Sequence, residues 1–164
     1  MEGGIKLHLG CGGQNWDGFI DVDDYPAHDC KPDLKCSITD LPYEENTVDE
    51  IWLVHVLEHL YLWDVEDAVA HWFHILKSGG KLVVEVPCMD KIIRNFQNKE
   101  TDWRLTFLGI FGEQIEGMPQ MVHKWCYSTA QLSQLFKQVG FQCEIKEPIY
   151  HMKQRDIRIE GIKP

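Results

Sequence analysis

The chain has 164 residues, of which 44% are hydrophobic and 26% charged, which is the composition of one ordinary globular domain. Its 16 Lys and Arg residues against 26 Asp and Glu residues give a formal net charge of −10. Nucleic-acid phosphates and anionic membranes repel so acidic a chain, so we expect neither as a partner. No apolar run reaches the roughly 18 residues of a membrane span. The six cysteines form no Cys-x-x-Cys motif and no signal peptide is visible, so we expect a cytoplasmic protein with reduced thiols.

Short apolar strands alternate with helical patterns along the chain. The strand patterns cover residues 5–9, 19–22, 48–54, 81–86, 141–145 and 157–162, with a weaker one near 34–38. From Val65 to Leu76 apolar residues recur at the spacing of one helix face. Ser128-x-x-Gln131 reads as a capping box, and it predicts a second helix that ends at Gly140.

This alternation predicts an α/β fold with a Rossmann-like, doubly wound, mostly parallel sheet and an antiparallel C-terminal strand. We expect a single domain over residues 1–164. Residues 10–17 alone connect the first strand to the second, so the first crossover helix should be missing or reduced to a turn. Residues 88–127 carry aromatic residues and glycines without a sustained period, and we expect an insertion or lid that covers or lines a site.

Glycines follow the first strand directly, as Gly10-Cys11-Gly12-Gly13, and Asp23 stands at the end of the second strand. Glycines in that position let a ligand approach the backbone, and a carboxylate there can accept both hydroxyls of a ribose. The spacing from Gly10 to Asp23 is 13 residues, against about 20 in the dinucleotide fingerprint. The short connection also leaves no helix N-terminus to hold a pyrophosphate. The pattern therefore favours a nucleoside ligand without phosphates over NAD, and the alternative is a tight turn with solvated acids.

Several further short motifs stand in order along the chain. They are Leu9-Gly10-Cys11-Gly12, Gly18-Phe19-Ile20-Asp21-Val22-Asp23, Asp40-Leu41-Pro42, Val48-Asp49-Glu50-Ile51, His55-Val56-Leu57-Glu58-His59-Leu60 and Leu76-Lys77-Ser78-Gly79-Gly80-Lys81-Leu82. In their order and spacing, over nearly the whole length, the chain resembles the class I S-adenosylmethionine-dependent methyltransferases of the small kind called type 11.

The resemblance implies S-adenosylmethionine as the cofactor and methyl transfer as the activity. The residues that it assigns to cofactor binding are Leu9, Gly10, Cys11, Gly12, Asp23, Asp40, Leu41, Val54 and His55. The glycine loop would surround the methionine part, Asp23 would hold the ribose, Asp40 and Leu41 would contact the adenine, and His55 would lie beside the sulfonium. The chain departs from the family in its shortened first helix and in His8, which replaces the usual acid before the glycines.

The segment His55-Val56-Leu57-Glu58-His59 also fits the H-x-x-E-H pattern of an inverted zinc peptidase. Two histidines four residues apart on a helix could share one face around a zinc ion. No third ligand stands at a characteristic spacing, however, and the methyltransferase resemblance accounts for the strand and helix on either side. We therefore expect no metal ion and keep a zinc hydrolase as the weaker alternative.

Methyl transfer from a sulfonium chiefly requires that acceptor, methyl carbon and sulfur lie in one line with water excluded. An acceptor whose proton has a high pKa also needs a base, and neutral imidazole is available near pH 7. We expect a small-molecule acceptor near His55, His123 and Trp125, with the two histidines as candidate catalytic residues. In one alternative, Trp125 only anchors the insertion to the core and His123 only makes a hydrogen bond. In another, the chain is a scaffold that binds the cofactor without catalysing transfer.

Overall fold

The computed structural model describes residues 3–25 and 31–164, which form a six-stranded sheet of order β2-β1-β3-β4-β6-β5. The strands are β1 Ile5–Leu9, β2 Ile20–Val22, β3 Val48–Val54, β4 Leu76–Pro87, β5 Gln142–Lys146 and β6 Asp156–Ile162. The helices are α1 Leu62–Ile75, α2 Met89–Gln97, α3 Trp103–Phe111 and α4 Thr129–Val139, with short 3₁₀ turns at Leu57–His59 and Pro119–Met121. None of the helices described is both long and apolar enough to cross a membrane.

Strands β1 to β4 are parallel, whereas β6 runs antiparallel to both β4 and β5. The Rossmann-like, mostly parallel sheet with an antiparallel C-terminal strand is therefore confirmed. The weaker strand expected near residues 34–38 does not form, and only Leu34 makes an isolated parallel bridge, to Val22. Leu34 lies beside the end of β2, where its N–H donates to the Asp21 carbonyl and its own carbonyl accepts the Asp23 N–H.

The hydrophobic core lies between one face of the sheet and the helices α1 and α4. Strand geometry turns alternate residues to the same face, so Leu7 and Leu9 of β1 and Ile51 and Leu53 of β3 all point into this core. Each is completely buried, which contributes about 1.5–3 kcal/mol per side chain. The capping box at the start of α4 is confirmed, because Ser128 and Gln131 exchange hydrogen bonds there.

The opposite face of the sheet carries aromatic side chains instead of a first crossover helix. No helix forms within residues 10–19, as the short connection predicted. The Trp16 ring stacks on His8 with ring centroids 3.9 Å apart and on Tyr150 at 4.6 Å, and its edge meets Trp52 of β3 at 5.7 Å. A single indole ring from the loop thus covers apolar sheet surface that the missing helix would have covered.

Residues 88–127 contain more regular structure than their sequence indicated, because α2, α3 and a 3₁₀ turn lie within them. The two ends of the segment are held together at the carboxyl end of β4. The Met89 N–H donates to the Tyr127 carbonyl at 2.9 Å, and the Cys88 N–H donates to the Arg155 carbonyl at 3.0 Å. The segment therefore begins and ends at the edge of the sheet where the glycine loop lies.

We predict that Trp16→Ala lowers the free energy of unfolding by about 2–3 kcal/mol, somewhat less than a fully buried Trp costs, because Trp16 is half-buried. The matched control is Trp63→Ala, since Trp63 is 72% exposed, and its effect should stay within about 0.5 kcal/mol. Urea unfolding of the two variants measures both values. Equal losses of unfolding free energy in Trp16→Ala and Trp63→Ala would show that the Trp16 stack does not take the place of the missing helix.

Candidate functional site

A cavity of about 670 Å³ opens at the carboxyl edge of the parallel strands. In an open α/β sheet this edge is where ligands bind. The residues from the strand ends and following loops that line it include Gly10, Gly12, Asp23, Ser37, Ile38 and His55. Of the residues assigned to the cofactor from sequence, the structure thus brings four together around one cavity.

The glycine loop is shaped by positive backbone angles that favour glycine. Gly10 has φ +66°, and a Cβ atom on it would lie 2.5 Å from a methyl group of Val56, so no side chain fits there. Gly12 has φ +56°, and a Cβ on it would meet no atom within 4 Å, so its backbone borders open space in the cavity. The Gly12 N–H donates to the Asp23 carboxylate at 2.8 Å, which joins the loop to the acid after β2.

The Asp23 carboxylate is held firmly and still has hydrogen-bonding capacity. One oxygen accepts the Gly12 N–H, and the other accepts the Tyr25 N–H at 2.7 Å. A carboxylate has about four lone-pair sites, so two sites remain for the hydroxyls of a ribose. Asp23 is 9% exposed at the cavity wall, which suits a bidentate contact with a bound nucleoside.

The other residues assigned to the cofactor do not line this cavity. Leu9 and Leu41 are buried in the core, Cys11 is buried, Val54 is half-buried and Asp40 is exposed. The Leu41 N–H donates to a ring nitrogen of His71, which keeps this residue against α1. Ser37 and Ile38 occupy the wall where Asp40 and Leu41 were expected, and no motif in the sequence marks them.

A second cavity of about 320 Å³ lies beside the first. Its wall includes His55, His59, His123, His151 and Arg155. His55 and His59 line both cavities, so the two spaces meet at these imidazole rings. Trp125 lines neither and packs against the hydrophobic core, as the anchoring alternative had it.

His55 follows β3 and is held from both sides by carboxylates. Its Nε2 lies 3.1 Å from Asp156 Oδ2, and its Nδ1 lies 3.1 Å from Glu58 Oε1. Burial by itself lowers the pKa of His55, but the contacts with Asp156 and Glu58 outweigh it and raise the pKa to about 9. His55 is therefore an imidazolium at neutral pH. It can donate hydrogen bonds there, but it is not the neutral base that the sequence analysis required.

Asp156, the first residue of β6, is a fully buried carboxylate with every oxygen engaged. Arg155 Nε donates to it at 2.6 Å and Arg155 Nη2 at 3.0 Å, and the Met152 N–H donates at 3.1 Å. Burial raises the pKa of Asp156, but the hydrogen bonds from His55 and Arg155 outweigh it and lower the pKa to about 2. The carboxylate is thus ionised at neutral pH and holds the ring of His55.

His123 presents one free ring nitrogen to the second cavity. Its Nδ1 lies 3.2 Å from the Gly109 carbonyl, which can only accept, so Nδ1 carries the proton and Nε2 keeps its lone pair. Burial is the main reason that the pKa of His123 lies below its ordinary value. The Nε2 atom is 3.9 Å from Glu58 Oε1.

Glu58 is completely buried beneath the histidines, and sequence reasoning gave it no role outside the zinc motif. Its backbone carbonyl accepts the N–H groups of Lys124 and Trp125, at 2.7 and 3.2 Å, which places His123 over its side chain. Burial raises the pKa of Glu58, but the contact with the charged His55 outweighs it and lowers the pKa. Glu58 is therefore a buried carboxylate at neutral pH.

Comparisons with known proteins bear on the sequence of the central strands and on the fold. Residues 20–84 match the family model described as a methyltransferase domain, whereas no curated protein sequence matches the chain. A SAM-dependent methyltransferase structure from Thermotoga maritima is similar, with a TM-score of 0.64 and 18% identity over 100% of this chain and 84% of that one. A SAM-dependent methyltransferase from Archaeoglobus fulgidus has a TM-score of 0.66 and 15% identity over 99% of this chain and 87% of that one.

A third similar structure is Burkholderia thailandensis 1,6-didemethyltoxoflavin-N1-methyltransferase, which holds 1,6-didemethyltoxoflavin and S-adenosylhomocysteine. Its TM-score is 0.63, at 13% identity over 97% of this chain and 70% of that one. At these identities the structures establish the fold. The family model matches the sequence from β2 through most of β4, including the segment around His55. The chain thus has the fold of the S-adenosylmethionine-dependent methyltransferases, and its residues 20–84 match the methyltransferase-domain family model.

Proposed function

We propose that this protein transfers the methyl group of S-adenosylmethionine to a polar small molecule that binds in the smaller cavity. The observation that carries the proposal is the meeting of the two cavities at His55 and His59. A cofactor in the larger cavity and an acceptor in the smaller one would come together at these rings. A volume of about 320 Å³ suits a small metabolite.

The residues around the larger cavity fit S-adenosylmethionine. Gly12 offers a backbone that borders open space, Asp23 retains lone pairs for the ribose, and Ile38 offers an apolar surface for the adenine. The cofactor half of our assignment is therefore Gly10, Gly12, Asp23, Ser37 and Ile38, with His55 at the end nearest the acceptor. When bound, the cofactor supplies an electrophilic methyl group, which bonds to the acceptor as its bond to sulfur breaks.

The chain's own residues would align the acceptor and take its proton. His55, held between Glu58 and Asp156, can donate a hydrogen bond only in a fixed direction. Arg155 adds a guanidinium to the wall, so an acceptor with an oxygen or an anionic group is favoured. The lone pair on Nε2 of His123 is the site to which a hydroxyl or ammonium proton of the acceptor would pass.

The compartment and the partner class belong to the same proposal. Cys36, Cys88, Cys126 and Cys143 are free thiols, which supports a reducing, cytoplasmic location. The net charge of −10 argues against a nucleic-acid substrate. The alternative, a scaffold that keeps the cofactor pocket without catalysis, has no observation of its own in its favour.

We predict that Asp23→Ala weakens binding of S-adenosylhomocysteine by about 1.5–3 kcal/mol, or roughly 10- to 150-fold, because charge-assisted hydrogen bonds to the ribose are lost. Asp17→Ala removes the same charge from an exposed position and should leave the affinity unchanged. Isothermal titration calorimetry measures both. Asp23→Asn keeps one carbonyl oxygen for the Gly12 N–H, so its affinity for S-adenosylhomocysteine should lie between those of Asp23→Ala and Asp17→Ala. Unchanged affinity in Asp23→Ala would remove the ribose assignment.

We predict that His123→Ala lowers turnover by roughly 10²-fold while the affinity for S-adenosylhomocysteine changes little. The acceptor comes first from a screen of small hydroxylated and amino compounds with labelled S-adenosylmethionine. His74→Ala, on the exposed face of α1, is the control and should keep full turnover. Full turnover in His123→Ala would place the proton acceptor elsewhere. Cofactor binding without methylation of any acceptor would favour the scaffold alternative.

A further inference from the structure

We propose that Glu58, His59 and His123 form a binding site for a divalent transition-metal ion of the Zn²⁺ class. One potential ligand atom of each residue lies within 4.8 Å of those of the other two. Two imidazoles and one carboxylate are a donor set of catalytic zinc sites, which keep a further position open. The sequence shows no third ligand at a characteristic spacing, and the fold supplies that ligand in His123.

Both histidines already have the orientation that a metal ligand needs. Nδ1 of His59 lies 3.3 Å from the Val122 carbonyl, and Nδ1 of His123 lies 3.2 Å from the Gly109 carbonyl. Carbonyls only accept, so Nδ1 is the donor in each ring and Nε2 is the nitrogen left to face a metal ion. Metal-binding histidines characteristically donate their other ring N–H to a carbonyl or carboxylate, which fixes the tautomer and the ring plane.

The Glu58 side chain is an independent indication of a cation site, because the nearby His55 imidazolium does not satisfy both of its oxygens. It is completely buried, yet both of its carboxylate oxygens lack a hydrogen-bond donor among the residues described. His55 approaches one oxygen to the distance of an ion pair, 3.1 Å, but not with the angles of a hydrogen bond, and the other oxygen has no such contact. A buried carboxylate left in this state is costly, and a coordinated cation removes the cost.

The distances are close to those of a metal site. A tetrahedral ion bound at about 2.0–2.1 Å holds its ligand atoms roughly 3.3 Å apart. Nε2 of His123 lies 3.9 Å from Glu58 Oε1, so these two atoms need to approach by only a few tenths of an ångström. The rings of His59 and His123 meet nearly at right angles, with centroids 4.8 Å apart, which lets their nitrogens converge on one point.

The neighbouring cluster of His55, His151 and Asp156 is a weaker candidate, although its potential ligand atoms are equally close. The Asp156 carboxylate already accepts hydrogen bonds from Arg155 and from the Met152 N–H. A metal ion there would have to displace a guanidinium. Glu58 is bound by no guanidinium, and its Oε2 has no contact of ion-pair length among the residues described, so the ion is assigned to this cluster.

The site would face the acceptor, because His59 and His123 line the smaller cavity. An ion held there can bind an acceptor oxygen and lower the pKa of a hydroxyl, a task that a free His123 would otherwise perform by taking the proton. This role rests on the proposed methyl transfer, whereas the binding of the ion does not. The acceptor class that follows is a molecule with a hydroxyl or carboxylate oxygen able to coordinate the ion.

The test is metal binding, measured without any acceptor. The full chain is stripped with a chelator and titrated with Zn²⁺ by calorimetry and with Co²⁺ by visible absorption. We expect one saturable ion per chain in the wild type, and a rise in melting temperature on addition of Zn²⁺. His59→Ala and Glu58→Gln should bind at least about 10²-fold more weakly, since loss of an outer-shell partner alone costs 10- to 100-fold. His74→Ala should bind as the wild type does.

Glu58→Gln keeps the volume of the side chain, so it reports on the site even where His59→Ala fails to fold. No saturable binding in the wild type, or equal binding in wild type and Glu58→Gln, would overturn the inference. Its failure is distinguishable from that of the proposed function. Methylation that persists in the chelator-stripped protein overturns the metal's role but leaves methyl transfer standing, whereas a bound ion without methylation supports the site and counts against the proposed activity.

Discussion

The arrangement of side chains at the carboxyl edge of the sheet depends on how the negative charge of one buried acid, Glu58, is balanced. An ionised carboxylate without water requires nearby cations or donors, and here His55, His59 and His123 gather around it. The backbone carbonyl of the same residue accepts two N–H groups from the chain that follows the insertion. Glu58 therefore fixes both the electrostatics of the site and the position of the segment that closes it.

His55 links Glu58 to a second buried carboxylate across the sheet. Its ring joins Glu58 at the end of β3 to Asp156 at the start of β6, and its backbone has φ +54°, an uncommon value outside glycine. The strain is tolerated because the two carboxylates and the bond from the His55 N–H to the Glu85 carbonyl all constrain the residue. The buried Glu85 side chain accepts the N–H groups of Ile149 and Tyr150 and shapes the loop that leads to Arg155.

The shortened start of the fold has its own consequence for the cofactor. His8 replaces the usual acid before the glycines, and its Nδ1 lies 2.8 Å from Asp21 Oδ1. Burial, the main cause, lowers the pKa of His8 despite the neighbouring carboxylate, and the ring stacks beneath Trp16. His8 and Asp21 are therefore occupied in holding the loop that stands in for a helix. An S-adenosylmethionine bound as we propose would find no acid at this position for its ammonium group.

Patterns among neighbouring residues were enough to predict most of the fold. Strand and helix periods, the capping box at Ser128 and the brevity of residues 10–17 predicted the fold, because such signals need only neighbouring residues. The glycines and Asp23 were found because both follow strands that share one edge. Even so, the cavity wall at Ser37 and Ile38 was missed, since nothing local distinguishes a residue that lines a cavity from Leu41, which packs inward.

The charge and the contacts of the histidines depend on segments that are far apart in the sequence. His123 stands 65 residues after Glu58 in the sequence, and hydrogen bonds between the two segments bring them together. The same holds for His55, whose charge is set by Asp156, 101 residues away. Charge–charge and metal-ligand geometry depend on distances in space, and a sequence gives no distances between segments that only folding brings together.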